Sequence, residues 1–560
     1  MSLQVLTSTF VVVLGCYGLF YWINVAPKSP VEDLPGPPSP SLLFGNTLQI
    51  LRSKNQVELH RQWIKEYGPT IKYKGILWPG NRIYTMDLKA INHILMNCYT
   101  YKKPEVITHN IRKVVGDGVL LVEDDVHKRQ RRIMNPAFGP LQIRELTVTF
   151  LEKAIRLRDI WMARANANNG EARVDALSWL CKTALDVIGE AGFGYNLEAL
   201  SEDPNHQNEL SQAFAGIFKV GVRAKFSTFV AMLRPEFPLL RFLVGEPLYL
   251  ISNLLISSIP LKPADRDTER MKARDIMFGI GRKLLQERKH EIMLSTSTKL
   301  GNEPVGNNLL SLLLHANTGT DIPDHQRLTD EEVVAQIPTF VLAGHETTGT
   351  ATTWALYALA KGKEIQVKLR EELSTVSTDS PTMDDLNALP YLDAVVRETL
   401  RLHCPVSANS RVATSDDVLP LEKPVIDRNG KAHYHLRIVK GQNIGIPIAL
   451  INTSEEIWGE DALEFNPSRW ISVPRAAGGI PGVWGNVLTF SKGPGACIGY
   501  RFSIVEIKAL LFTLVRAFDI DLAVPHSDIL QKPEIVTRPV LRTDPNNANQ
   551  MPLIVRPLEP

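Results

Sequence analysis

Apolar residues recur every three or four positions along most of this chain and alternate only in short stretches. The helical period predicts a helix over Gln56 to Tyr67, and helical patterning dominates from about 127 to 300. Thr329 to Leu359 predicts one long, mostly apolar helix, opened by the cap signal Thr329-Asp330-Glu331. Tyr391 to Leu402 predicts another, stopped by Pro405, because a residue before proline is pushed out of helical angles. A last helix is expected over Ile498 to Phe518. Strand-like alternation marks Thr70 to Tyr73, Arg82 to Met86, His435 to Val439 and Asn443 to Ile448. Thr537 to Val555 reads as a hairpin. The pattern predicts a mostly α chain with a small β subdomain and one core.

The first residues depart from that pattern. Leu3 to Val25 are almost wholly apolar and carry no charge. A helix needs about 20 such residues to cross the hydrocarbon of a bilayer. Tyr17, Tyr21 and Trp22 cluster toward the second half, as at a membrane interface. A cleaved signal peptide is the rival reading, but a basic n-region and a small-residue cleavage site are both missing. Residues 1–26 are therefore expected to be a retained membrane anchor. Leu34-Pro35-Gly36-Pro37-Pro38 and Pro40 follow, and prolines stiffen the backbone into an extended segment. Residues 27–45 are read as a proline-rich hinge, and 46–560 as the catalytic domain, placed on the cytosolic side.

Composition narrows the function classes. The 560 residues are 44% hydrophobic, enough for one very large domain. A net charge of +2 gives no electrostatic case for a nucleic-acid partner. Cys16, Cys98, Cys181, Cys404 and Cys497 are odd in number and scattered, so neither a disulfide framework nor a CxxC zinc spacing is present. This suits a reducing compartment.

Four motifs carry candidate chemistry. In Phe490-Ser491-Lys492-Gly493-Pro494-Gly495-Ala496-Cys497-Ile498-Gly499 a single cysteine sits among glycines. Glycines let a loop turn its N–H groups toward one sulfur, the help a thiolate needs. By itself the loop fits an iron-ligating thiolate and a plain structural cysteine about equally. The long helix carries Ala343-Gly344-His345-Glu346-Thr347-Thr348. Ala343 and Gly344 are small enough for a flat ligand to lie on the backbone. The Thr347 hydroxyl can compete for the Ala343 carbonyl and loosen the helix. Glu346 beside Thr347 is a carboxylate next to an alcohol, suited to moving protons. A zinc-protease HExxH is excluded, since Gly349 stands where the second histidine belongs. Glu398 and Arg401 share a helix face, and Arg469 in Phe465-Asn466-Pro467-Ser468-Arg469-Trp470 can bridge to Glu398. Last, His127-Lys128-Arg129-Gln130-Arg131-Arg132 is a basic run, suited to cofactor carboxylates or to plain solvation.

Taken in order, these motifs resemble the cytochrome P450 family, of the membrane-anchored, fungal type, over essentially the whole chain. The resemblance implies the P450 fold, a single large catalytic domain behind an N-terminal transmembrane helix. It implies Cys497 as axial thiolate of a b-type haem, with Phe490 packed beside the sulfur and Ala343 and Gly499 lining the cofactor. It implies Glu346 and Thr347 as the proton-delivering pair. Glu398, Arg401 and Arg469 would form a structural network behind the pocket. Arg131, His127 and Arg411 would meet the propionates. One departure stands out: Gly495 occupies the position where the family usually has arginine or histidine. That removes a charge-assisted bond of roughly 1.5–3 kcal/mol.

The same resemblance implies a monooxygenase that inserts one oxygen atom from O2 into a lipophilic compound, such as a terpenoid of fungal secondary metabolism. Electrons would come from NADPH through a membrane-bound cytochrome P450 reductase, with cytochrome b5 as a second donor. Lys128, Arg129 and Lys492 are candidate docking charges. The pocket is expected from Ile107 to Val119, Phe214 to Phe229, Phe340 to Thr348, Val406 to Asn409 and the turn near Pro539-Val540. Phe226 to Ile259 is read either as core or as a membrane-dipping segment. The expected location is the endoplasmic reticulum membrane. A haem-thiolate isomerase or dehydratase, and a weakly active haem protein because of Gly495, are the alternatives.

Overall fold

The computed structural model describes residues 30–41, 44–53, 55–75, 81–201, 265–297, 308–318, 323 and 326–558. The expected anchor at 1–26 and the segments Phe214 to Phe229 and Phe226 to Ile259 lie outside the described residues. Among the described residues no helix is long and apolar enough to cross a membrane. The chain divides into two compact units.

The smaller unit is built from described residues up to Pro104 and from 409–447. Its five-stranded sheet runs Thr70–Lys74, Asn81–Thr85, Asn443–Ile446, Asn409–Ala413, Tyr101–Lys102. Asn81–Thr85 and Asn443–Ile446 pair in parallel, and the other pairs are antiparallel. Helix α1 (Gln56–Tyr67) matches its apolar period and starts on Asn55, whose side chain accepts from the Glu58 N–H. Helix α2 (Leu88–Met96) starts likewise on Asp87. The second half of the proline segment is pinned to the sheet. The Lys72 N–H donates to the Pro35 carbonyl at 2.9 Å, and Asn46 bonds Lys74 through both backbone and side chain. Gly36 permits this approach, since a Cβ there would sit 1.9 Å from the Lys72 carbonyl oxygen.

The larger unit is mostly helical. Its main helices are α3 (Glu105–Val115), α4 (Asp124–Met134), α5 (Pro140–Ala167), α6 (Ala176–Phe193), α7 (Asp265–Ser297), α8 (Asp330–Lys361), α9 (Pro390–Leu402) and α10 (Tyr500–Ala517). Helix α8 is the long apolar helix that the sequence predicts. It starts on a full capping box, Thr329 and Glu332 each bonding the other's N–H. A helix apolar on all sides must be covered on all sides. Val333–Val341 and Thr348–Leu356 are accordingly buried. Helices α5 and α10 pack through Phe150 and Phe502, with ring centroids 4.6 Å apart.

Of the expected Thr537 to Val555 hairpin a single antiparallel bridge forms, Val540 opposite Asn549, with the Gln550 N–H on the Pro539 carbonyl at 3.0 Å. Arg538–Leu541 pairs back with Ile529–Lys532. Pro552–Pro557 instead lies between Ala172–Asp175 and Phe518–Leu522. Alternation along a strand marks its buried face but carries no information about which strand lies beside it.

Gly349 lets α8 and α6 cross closely. A Cβ there would lie 2.8–2.9 Å from the Cα, N and Sγ atoms of Cys181 on α6. Two of those atoms are backbone, so no side-chain rotation relieves the clash. Gly349→Ala is expected to destabilise the protein by about 1–3 kcal/mol in chemical denaturation. An unchanged midpoint would mean that the two helices slide apart freely.

Candidate active site

The cysteine loop reverses direction twice before α10. Ser491 (φ 59°) and Gly493 (φ 72°) supply left-handed backbone, a conformation natural for glycine and costly for serine. The Ala496 N–H bonds the Gly493 carbonyl at 3.0 Å, and the Cys497 N–H bonds the Phe490 carbonyl at 2.9 Å. The nearby Gly499 N–H favours the anionic form of the Cys497 sulfur. Phe490 is buried, its ring against Trp484 and Tyr500.

Cys497 is exposed, yet burial by its surroundings pushes its thiol up, with the Gly499 N–H and the Arg131 guanidinium opposing the shift. A residue with accessible area and dense surroundings lines an internal recess rather than an outer face. A side chain at Gly499 would meet only Phe138 within 4 Å, at 3.8 Å, so space remains beside the sulfur.

Helix α8 opens toward a recess in the same way. Between its two buried stretches, Ala343 is exposed and Leu342, Gly344 and Thr347 are half-buried. Ala343 and Thr347 lie one turn apart, on one face. The Thr347 hydroxyl donates to the Ala343 carbonyl at 2.6 Å, as its sequence position suggests. Two links join this stretch to the cysteine region. Phe138, beside Gly499, meets Phe340 edge to face at 5.4 Å, and the Thr348 hydroxyl bonds Ser503 on α10 at 3.3 Å. These links bracket the opened turn, so the cysteine loop and Ala343–Thr347 border one space. An accessible sulfur, a stretch of α8 opened by small residues and a guanidinium on the cysteine loop fit a thiolate-held haem.

The other predicted residues fall into three groups. Arg131 on α4 donates to the Ala496 carbonyl at 2.6 Å and to Asn135 at 2.8 Å, which ties it to the cysteine loop. His127 stands one turn earlier and is half-buried. Arg411 belongs to the smaller unit, where its guanidinium bonds Asn409 and the Ser410 carbonyl. Arg129 does not act as a free surface charge: its guanidinium pairs with Glu332, at the start of α8. Glu346 is buried and paired with Arg538.

Glu398, Arg401 and Arg469 meet as the sequence suggests, with far more partners than three residues. Glu398 is fully buried and accepts from Arg401 Nε and Nη2 at 2.8 and 2.7 Å and from Arg469 Nε at 3.4 Å. The Asn466 N–H and the Trp470 indole N–H also donate to it, both at 3.0 Å. Arg401, equally buried, also donates to the carbonyls of Asn452, Ala462 and Glu464. Asn452 passes the constraint on: its side chain bonds the Leu488 N–H and the Thr489 hydroxyl, just ahead of Phe490. Asn452, Thr489 and Arg538 carry no motif, and sequence reasoning missed them; Trp470 ends the stretch that carries Arg469, but its bond to Glu398 was not foreseen.

The match to known proteins agrees with this geometry. The family model described as Cytochrome P450 matches residues 35–543. This chain belongs to the cytochrome P450 family. Cytochrome P450 monooxygenase 205 of Postia placenta is 46% identical to this P450 over 530 residues, 94% of this chain and 93% of that protein. Cytochrome P450 monooxygenase 128 of the same fungus is 46% identical over similar shares. Cytochrome P450 monooxygenase claO of Ampulloclitocybe clavipes is 34% identical, over 92% of this P450 and 94% of that protein.

Breaking the buried network leaves a carboxylate without its main partner. Arg401→Ala is expected to cost this P450 about 3–5 kcal/mol in chemical denaturation. A loss in the range of an exposed pair, about 0–1 kcal/mol, would mean that water replaces the arginine.

Proposed function

We propose that this P450 is a haem-thiolate monooxygenase acting on a lipophilic small molecule. The overall reaction is RH + O2 + NADPH + H+ giving ROH + H2O + NADP+, with the electrons carried by a flavoprotein reductase. The observation that carries the reading is Cys497: a cysteine with accessible area, its N–H held by the Phe490 carbonyl and its loop tied through the Ala496 carbonyl to the Arg131 guanidinium. Bound haem supplies dioxygen activation, and electron donation from the sulfur favours O–O cleavage.

The chain's own residues have distinct tasks in this reading. Cys497 is the ligand, and its rigid loop keeps the sulfur in place. Arg131 places a positive charge beside that loop and, with His127, faces the cofactor's carboxylates. Thr347 holds a hydroxyl on the open face of α8, and Glu346 stands next to it as proton carrier. The apolar residues around the opened stretch of α8, among them Phe340 and Val341, favour a lipophilic substrate, and a fungal terpenoid fits that character. The names of the fungal relatives support oxygen insertion as the reaction class. The apolar run Leu3 to Val25 supports an anchor in the endoplasmic reticulum membrane, with a cytosolic catalytic domain and a membrane-bound reductase as partner.

Two measurements test the reading. The reduced, carbon-monoxide difference spectrum of the membrane-expressed protein should show the far red-shifted Soret band of thiolate ligation, and Cys497→Ser should abolish it. A band at the imidazole position in the wild type would refute Cys497 as ligand. Thr347→Ala should cut product formation on the order of a hundredfold while NADPH is still consumed. Unchanged product per NADPH would remove Thr347 from the proton route.

A further inference from the structure

The proline segment of the smaller unit leaves a gap against helix α1. Three bonds hold its backbone in place: the Lys72 N–H on the Pro35 carbonyl, Asn46 Nδ2 on the Pro38 carbonyl at 3.0 Å and Arg428 Nη2 on the Gly36 carbonyl at 2.9 Å. Between the segment and α1 lies a cavity of about 300 Å³, lined by Pro37, Pro38, Pro40, Trp63, Glu66 and Tyr67. Trp63, Glu66 and Tyr67 are spaced three and four apart, so they share one face of α1. Trp63 is buried, and His60 and Tyr73 set its ring at centroid distances of 5.1 and 5.9 Å.

These walls select a ligand. Prolines have no N–H, so their side of the cavity offers hydrocarbon and no donor. Aromatic faces are negative and attract a cation placed over the ring. Glu66 is exposed and adds a full negative charge, and its carboxyl beside Tyr67 pushes that phenol up. A primary ammonium would turn N–H groups onto proline and leave them unsatisfied. A quaternary ammonium has no N–H to satisfy and meets both hydrocarbon and ring faces well.

A positive charge stands close by. Arg428, in the turn between strands Asp417–Ile426 and Ala432–Ile438, is exposed and near enough to Tyr67 to oppose the shift of its phenol. A guanidinium has five N–H donors, so one bond to Gly36 leaves it able to hold a phosphate. The neighbouring acids are engaged otherwise. Asp427 accepts from the Asn429 and Lys431 N–H groups and from His433, and Asp33 meets the Arg428 N–H through its backbone carbonyl.

The place in the chain favours a membrane source for such a zwitterion. Pro37 follows the end of the apolar run Leu3 to Val25 by twelve positions, at most about 40 Å of extended chain. Leu51 and Ile426 are exposed, each two residues from a group at the site, Gln49 of the cavity lining and Arg428.

We propose that this cavity binds the headgroup of a choline phospholipid, with the quaternary ammonium between the prolines and the Trp63 and Tyr67 rings beside Glu66, and the phosphate on Arg428. The choice of a lipid rests on the anchor reading given above, and the site is independent of the haem chemistry.

The test is calorimetric titration of full-length, haem-loaded protein in a maltoside detergent. The probes are dihexanoyl phosphatidylcholine below its micelle concentration, dihexanoyl phosphatidylethanolamine, free phosphocholine and choline. The choline lipid should bind saturably, about tenfold tighter than the ethanolamine lipid and tighter than free phosphocholine. Glu66→Gln should weaken binding of the choline lipid and of choline about tenfold each, the loss of one charge contact. Arg428→Gln should weaken the choline lipid and phosphocholine about tenfold but leave choline unchanged, and Arg428→Lys should recover most of the loss. Glu66 and Arg428 are both exposed, so thermal midpoints should stay at the wild-type value. Absence of saturable binding, or equal affinity for the two lipids, would overturn the site. Equal affinity for free phosphocholine and the choline lipid would overturn the lipid as its occupant. Loss of choline binding in Arg428→Gln would show that the arginine only holds the proline wall, and would overturn its role toward phosphate.

Discussion

Glu398 carries five hydrogen-bond donors in a place without solvent, and the cysteine loop hangs from that arrangement. Arg401 uses all five of its N–H donors there, two on Glu398 and three on carbonyls. A charge removed from water is costly unless every one of its bonds is made. The carbonyls of Asn452, Ala462 and Glu464 must therefore stand where the guanidinium can reach them. Asn452 then fixes Leu488 and Thr489, and the reversal that presents Cys497 begins two residues later.

Such a network is an inefficient route to stability alone. Buried ion pairs often do no better than well-packed apolar residues of the same volume. Its value here lies in directionality. Apolar packing tolerates small slides, whereas five donors on one carboxylate admit one geometry. The sulfur of Cys497 needs that definition, because its surroundings otherwise favour the neutral thiol.

Helix α8 shows the converse principle. It is buried over Val333–Val341 and Thr348–Leu356 and opens between them at Leu342–Gly344 and Thr347. Small residues make that opening, and a threonine bonded to the carbonyl one turn back loosens the helix there. Beside the opening, Glu346 is buried and paired with Arg538.

Much of this was legible from the chain alone. The period of apolar residues located α8 and α9 within a residue or two, because a helix must show the face it buries. The capping box at Thr329 and the proline after Leu402 fixed ends for local steric and hydrogen-bonding reasons. The cysteine loop, the Ala343–Thr347 turn and the Glu398–Arg401 pair were readable because their geometry lies within one or two helical turns. Strand partners were not: Pro552–Pro557 pairs with strands far away in sequence, not with the nearby one. Nor were Asn452 or Arg538, ordinary residues whose importance comes only from what the fold brings to them. Local sequence determined elements and reactive groups, since those depend on neighbours in the chain. Only the tertiary structure decided which acid meets which base, because that depends on atoms 192 residues apart in sequence, as between Glu346 and Arg538.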